Sequence, residues 1–463
     1  MKSILLLIFI QLFYNNNIIN CDPIDLTLVP KSIGQDVVDA SIAKVNQIKL
    51  FADDSGFLFR LALVESNFGE NPRTFNATTN NGPNIWSVDG QKFSETQDIV
   101  KHENLLLIYY ELAEKYDIDW QRLDLDDMQI PLYGALATKM FLHLTNQSIP
   151  KTIDDQAQFW KQHYTPTGDV QLFVKSVQQL EDLYECSPHI NLCYVLDGSG
   201  SIAPNDFQMA KDFLYKVTDK ISSENGNFCL VLFSDDANKI YDYTEKTKSN
   251  KLDKIRTLSQ PRGGTNTRDG IQTTVDIMKS RPTLPYKTMF VLTDGQSNDG
   301  VQPAVTNAQS AGIKSLVWGV GPGVNLKELL EIAYNLPVNV QQLTKFSSLQ
   351  SELFAFKKTV CSEALKLETG QQFSDTTVKH EKRLYIFDLP KTGGNGINLT
   401  IQTTKGKLLG YYAYSTPHPS SAVNDGQFAD HIHIPGQPQH SQVYVAIVGQ
   451  ESDNAYNIIA TNV

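Results

Sequence analysis

At 463 residues, with 41% hydrophobic and 20% charged side chains, the chain has the composition of ordinary globular protein and length enough for two to four domains. The formal net charge of −11 is unevenly placed: residues 22–185 carry an excess of 12 acidic side chains and residues 186–463 are balanced. That distribution argues against nucleic acid, and against long-range attraction to anionic membranes or cell walls.

The chain begins Met1-Lys2 and continues into the apolar run Ser3–Ile10, which reads as a secretory signal peptide over residues 1–21, with cleavage near Asn20, Cys21 or Asp22. No later run approaches the ~20 apolar residues of a membrane span. The mature protein is therefore expected to be secreted and extracellular. N-x-S/T sequons at Asn76, Asn146 and Asn398 fit that compartment as glycosylation sites.

Residues 22–185 read as a helical domain. Apolar residues recur at helical spacing over Gln35–Phe51 and Ser55–Glu65, then near Lys101–Tyr116, Pro131–Asn146, Asp154–His163 and Val170–Tyr184. A polar loop, Asn67–Gly90, separates the second and third helices and is long for a compact domain. Glu65 ends an apolar helix and is followed by Ser66. This Glu-Ser step, with Gly82–Asp89, Tyr133–Thr138 and Phe159–Tyr164 plus Gly168, resembles the ordered motifs of lysozyme-like transglycosylases. Ser87 stands where that superfamily usually has a saccharide-binding Gln, and Thr165 where it has Asn. The resemblance implies Glu65 as a general acid for glycoside cleavage. Asp89 would be the second carboxylate, and Glu95 comes next. Glycoside cleavage requires an acid that protonates the leaving oxygen, which apolar surroundings favour. An active enzyme and an inherited inactive scaffold both remain open.

The run Ile190–Leu196 is short, apolar and without helical period, so it reads as a strand buried on both faces. It delivers Asp197-Gly198-Ser199-Gly200-Ser201, after which a helix is expected to about Ile221. Asn227–Phe233 is a second buried strand, Lys239–Thr244 an edge strand, Met289–Thr293 a strand ending at Asp294, and Lys314–Gly321 another strand. Ile271–Met278, Leu326–Asn335 and Phe346–Cys361 read as helices. Strands alternating with helices imply a doubly wound, Rossmann-like α/β sheet. The motifs D-G-S-G-S, Gly263-Gly264-Thr265-Asn266-Thr267 and Val291-Leu292-Thr293-Asp294-Gly295 come in order at domain-scale spacing. Together they are very similar to the metal-ion-dependent adhesion site of von Willebrand factor type A domains. The resemblance implies that Asp197, Ser199, Ser201, Thr265 and Asp294 hold the ion, within a domain over residues 186–363. A set of two carboxylates and three hydroxyls suits Mg²⁺ or Mn²⁺. An open coordination position would then take an Asp or Glu carboxylate from an extracellular protein or matrix ligand.

Cys186 precedes the first strand of this domain and Cys361 ends its last helix, so these two are expected to pair. Cys193 and Cys229 lie inside apolar strands and are expected as buried thiols. With Cys21 leaving with the signal segment, the four remaining cysteines allow three pairings, and the sequence does not choose among them.

Residues 366–463 change character. Short alternating or apolar runs at Arg383–Phe387, Asn395–Gln402, Lys407–Ala413, His431–Ile434 and Gln442–Gly449 are separated by Gly, Pro and Ser, the pattern of an antiparallel β-sandwich. His431 and His433 share a strand face. Two functions from different classes follow. One is a secreted, metal-dependent adhesion or recognition protein. The other is a secreted glycoside-cleaving enzyme on peptidoglycan or a chitin-like glycan polymer, with the other domains targeting it.

Overall fold

The computed structural model describes residues 23–52, 54–76, 82–183, 191–221, 227–280, 287–361, 364–390 and 395–463. The expected signal segment and Cys186 lie outside them. Among the described residues, no helix is long and apolar enough to cross a membrane. The chain divides into two compact units, residues 30–365 and residues 1–29 with 366–463.

Among the described residues the larger unit begins with seven α-helices: α1 (Gln35–Val45), α2 (Phe57–Ser66), α3 (Gly90–Gln97), α4 (Leu105–Tyr116), α5 (Pro131–Leu144), α6 (Ile153–His163) and α7 (Val170–Leu183). Helix α2 is buried almost all round, as a sequence reading Phe-Leu-Phe-Arg-Leu-Ala-Leu demands. It stops at Asn67 and Phe68, both in the left-handed region (φ 48° and 58°). Around α2 pack Trp86, Leu136, Phe159, Trp160 and Phe173, all buried. Helix α3 falls just after the long polar loop and was not legible in the sequence; Asp89 starts it by accepting from the Lys92 amide.

The same unit continues into a six-stranded sheet. Its strands are β2 (Asn191–Asp197), β3 (Asn227–Phe233), β4 (Ala237–Tyr241), β5 (Lys287–Thr293), β6 (Lys314–Val320) and β7 (Val340–Leu343). Their spatial order is β4-β3-β2-β5-β6-β7, and only β4 runs antiparallel to its neighbour. Helices α8 (Pro204–Ile221), α9 (Lys248–Arg256), α10 (Thr267–Lys279), α11 (Gln302–Ser310), α12 (Leu326–Ile332) and α13 (Leu353–Cys361) complete the fold. Every residue of β2 is buried. Leu192, Tyr194 and Leu196 join one core, while Cys193 and Val195 join the core on the other face. From β2 the chain pairs with β3 on one side and β5 on the other. The carboxyl end of β2 is thus the switch point where open α/β sheets bind ligands.

Two expectations change here. Cys193 and Cys229 are not thiols but a disulfide, because parallel register sets them opposite each other on one sheet face with Cα atoms 4.4 Å apart. Cys361 is also disulfide-bonded; its expected partner, Cys186, lies outside the described residues. The single helix expected over Phe346–Cys361 is a 3₁₀ turn, Phe346–Glu352, followed by α13. Within the unit, α13 serves two cores. Its Phe356 sits among Phe213, Phe290 and Trp318 (centroids 5.6, 4.6 and 5.3 Å away), and its Phe354 lies 6.1 Å from Phe59 of α2.

The second unit is β-rich. Strand β1 (Ile24–Asp25) pairs with β13 (Val423–Asn424), so residues 24–25 belong to this unit. Two sheets follow. One has β8 (Leu365–Leu367), β10 (Lys382–Asp388), β12 (Leu408–Ala413), β14 (Gly426–Phe428) and β16 (Gln442–Gly449). The other has β9 (Phe373–Thr377), β11 (Ile397–Lys405), β15 (His431–Ile434) and β17 (Asn454–Asn462).

Candidate functional site

Three loops meet at the carboxyl edge of the six-stranded sheet. The first leaves β2, whose last residue, Asp197, is fully buried. One carboxylate oxygen of Asp197 accepts the Ser199 amide at 2.8 Å, and the other accepts the Thr293 hydroxyl at 2.6 Å. Ser199 Oγ and Ser201 Oγ lie 2.9 Å apart. The Ser201 hydroxyl in turn donates to Asp294 Oδ1 at 2.7 Å, on the loop after β5. Thr265 arrives on the loop before α10, with its carbonyl accepting the Asn298 amide at 2.7 Å. A side chain added at Gly295 would meet the Thr265 hydroxyl at 3.7 Å, which places Thr265 beside the Asp294–Gly295 turn. The structure therefore brings all five sequence-predicted residues to one edge.

Glycine is required at Gly198 because neighbouring side chains crowd the loop. A Cβ on Gly198 would stand 2.7 Å from Pro261 Cδ and 2.9 Å from Leu232 Cδ1. The Gly198 carbonyl accepts the Arg262 amide at 2.9 Å, and the Gly200 amide donates to the Gly263 carbonyl at 2.8 Å, so the first and second loops are laced together.

Burial pushes the carboxyls of Asp197 and Asp294 above their ordinary range. Among the described residues neither has a Lys or Arg partner. Two desolvated acids ringed by hydroxyls carry charge that no described side chain offsets, and a hard divalent cation would offset it. The donors present thus fit a hard divalent cation.

Sequence reasoning missed several supporting residues. Thr293 stands inside a quoted motif, yet its bond to Asp197 depends on strand pairing. Gln260 Nε2 donates to the carbonyls of Ser199 and Ile202, both at 2.9 Å. Asp235, on the turn after β3, accepts the Gly264 amide at 2.7 Å. Its only signal was a carboxylate at the end of a buried strand.

In the helical segment, Glu65 is partly exposed, and one of its oxygens accepts from both Trp160 Nε1 (2.7 Å) and the Thr165 hydroxyl (2.6 Å). Thr165, where the resemblance would place Asn, thus has Glu65 as its partner. Asp89 accepts the Lys92 amide at 2.8 Å and the Lys92 ammonium at 2.7 Å. Both acids lie close enough to buried Tyr164 to reinforce the raising of its hydroxyl pKa, which burial dominates. Glu95 bonds Lys101 and His102, and the Lys101 bond contributes most to lowering its pKa. Ser87 adopts φ 53° in the turn before α3. In the second unit, His433 Nδ1 lies 3.0 Å from Asn398 Oδ1. Among the described residues no cluster of three or more His, Cys, Asp or Glu forms, so the His431–His433 pair lacks a third ligand. Asn76, Asn146 and Asn398 are all exposed.

Comparison with known proteins adds the following. Residues 191–355 match the von Willebrand factor type A domain family. Human cochlin is 32% identical over 151 residues, covering 31% of this chain and 28% of cochlin. The mouse collagen alpha-4(VI) chain is 30% identical over 210 residues, 43% of this chain and 9% of the collagen. Chicken matrilin-1 is 28% identical over 152 residues, 31% of this chain and 30% of matrilin-1. The chain thus spans less than a third of the length of these relatives. Among solved structures, proximal thread matrix protein 1 from the mussel byssus, with a zinc-occupied MIDAS motif, aligns at TM-score 0.36 and 23% identity, over 42% of this chain and 50% of that one.

Proposed function

Residues 191–355 form a von Willebrand factor type A domain, and from that premise we propose that the chain is a secreted adhesion or recognition protein that captures an acidic group through a divalent cation. The ion is Mg²⁺ or Mn²⁺, and Asp197, Ser199, Ser201, Thr265 and Asp294 hold it. With only two anionic ligands the cation keeps net positive charge and an open position, which a carboxylate from an extracellular protein or matrix partner fills. The observation that carries this reading is the hydrogen-bonded row Asp197–Ser199–Ser201–Asp294, two desolvated acids with no cationic side chain beside them among the described residues. The collagen chain and matrilin among the relatives of this segment support a matrix setting. Calorimetric titration of the whole chain with Mg²⁺ tests it. Asp197→Ala should abolish the binding heat while circular dichroism stays unchanged, and an unaltered titration would refute the assignment.

For the helical segment, the partners of Glu65 and Asp89 support a structural reading over a catalytic one. Each acid is already an acceptor that ties local elements together.

A further inference from the structure

We propose that Asp235 is a positioning residue for this ion site, acting through the backbone that carries Thr265. The proposal rests on the metal reading above and adds a residue that none of its three motifs contains. Asp235 belongs to the turn between β3 and β4, and its Oδ1 accepts the Gly264 amide at 2.7 Å across 29 residues of sequence. The fit is tight. A Cβ on Gly263 would stand 2.1 Å from Oδ2, and one on Gly264 would stand 2.9 Å from Oδ1. The glycine pair is therefore what allows the carboxylate to settle against the loop.

The same turn grips the loop beyond Thr265. The Asn266 amide donates to the Ser234 carbonyl at 2.7 Å, and Asn266 Nδ2 donates to the Asp235 carbonyl at 3.3 Å. Thr265 is thus flanked by two anchors, Gly264 and Asn266, both fixed by residues 234–235, while its own carbonyl accepts the Asn298 amide at 2.7 Å. Without Asp235 the anchor at Gly264 is lost, and two consecutive glycines form the most permissive backbone available. The Thr265 hydroxyl is then held beside Gly295 less tightly, by the Asn266 and Asn298 contacts alone. Asp235 lies outside the five-residue ligand set, and its Oδ1 is engaged by the Gly264 amide. Outer partners of this kind typically contribute 10–100-fold to metal affinity.

The test uses the full chain and two readouts. In Mg²⁺ calorimetry, Asp235→Ala should weaken binding by roughly 10–100-fold. Asp235→Asn, which retains a carbonyl acceptor for Gly264, should recover most of that loss. If Asp235 acted only through its charge, both variants would weaken binding equally and the loss would shrink at high salt, which would overturn the proposal. In a Thr265→Ala background, Asp235→Ala should add nothing, because the two act in series; additive losses would also overturn it. The second readout needs no metal. Amide hydrogen exchange at residues 262–267 should accelerate in Asp235→Ala and not in Asp235→Asn, and equal protection in all forms sinks the proposal even if the wild-type chain binds no Mg²⁺. Should Asp235→Ala fail to fold, Gly263→Ala replaces it. Its methyl displaces the carboxylate without deleting it and should give the same local acceleration, whereas unchanged exchange would contradict the role.

Discussion

The Ser201 hydroxyl donates to Asp294 Oδ1 at 2.7 Å although 93 residues separate the two. Pairing of β2 with β5, Leu196 opposite Leu292, is what makes them neighbours. The bond ties the first loop to the third, and the energetic cost of that arrangement resides in the two desolvated acids.

That cost has a pH sign. Burial raises the carboxyls of Asp197 and Asp294 above the ordinary range. A raised folded pKa contributes stability that is complete below the unfolded value and is lost as pH rises through the folded value. Metal-free protein therefore loses this contribution above the ordinary carboxylate range, and a cation restores it. Mg²⁺ at about 100 times its Kd should stabilise the chain by about 2.7 kcal/mol near neutral pH. The gain should shrink as pH falls and protons displace the ion. Thermal unfolding with Mg²⁺ and with EDTA at neutral and acidic pH measures it; an equal shift at both would contradict the account.

Glu65→Ala strands the nearly buried Trp160 N–H and should cost about 1–3 kcal/mol in denaturant unfolding. Glu65→Gln keeps an Oε1 acceptor for Trp160 and Thr165 and should cost much less. Release of reducing ends from peptidoglycan or chitin oligomers gives the opposing outcome. Wild-type release that Glu65→Gln abolishes would make Glu65 a catalytic acid.

Two ion pairs in the larger unit should differ sharply. Arg60 is buried and bonds both Glu181 (2.8 Å) and Gln156 (2.8 Å), so Arg60→Ala should cost about 3–5 kcal/mol. Lys358 pairs with Asp39 at 2.5 Å, but both side chains are about a third exposed, so Lys358→Ala should cost under about 1 kcal/mol. Urea midpoints of the two variants decide this.

Closing a 36-residue separation, the Cys193–Cys229 bridge should contribute about 4 kcal/mol in the loop-entropy model. The Cys193→Ala, Cys229→Ala double variant should lose about that much. Peptide mapping without reductant should recover the linked pair, and alkylation of either cysteine in the folded, unreduced chain would contradict it.

The central strands were legible because each is an apolar run closed by a turn, and the ion residues because they sit on such turns. What escaped was set by distant pairing. Cys193 reads like any core residue until β2 and β3 align in register. Asp235 reads like a solvated turn acid until Gly263 and Gly264 fold against it. Strand β17 buries Asn454, Tyr456, Ile458 and Ala460 in alternation, but Asn454 interrupts the apolar half of that pattern and Ile459 interrupts the other. Helix α11 buries mainly small residues, Ala304, Val305 and Ala308, which leave a faint period.

The most direct test is crystallography with Mn²⁺, read from its anomalous signal. The account predicts one peak among the oxygens of Asp197, Ser199, Ser201, Thr265 and Asp294, with a water or a carboxylate completing the shell. A peak elsewhere, or none at this edge of the sheet at saturating Mn²⁺, would contradict it.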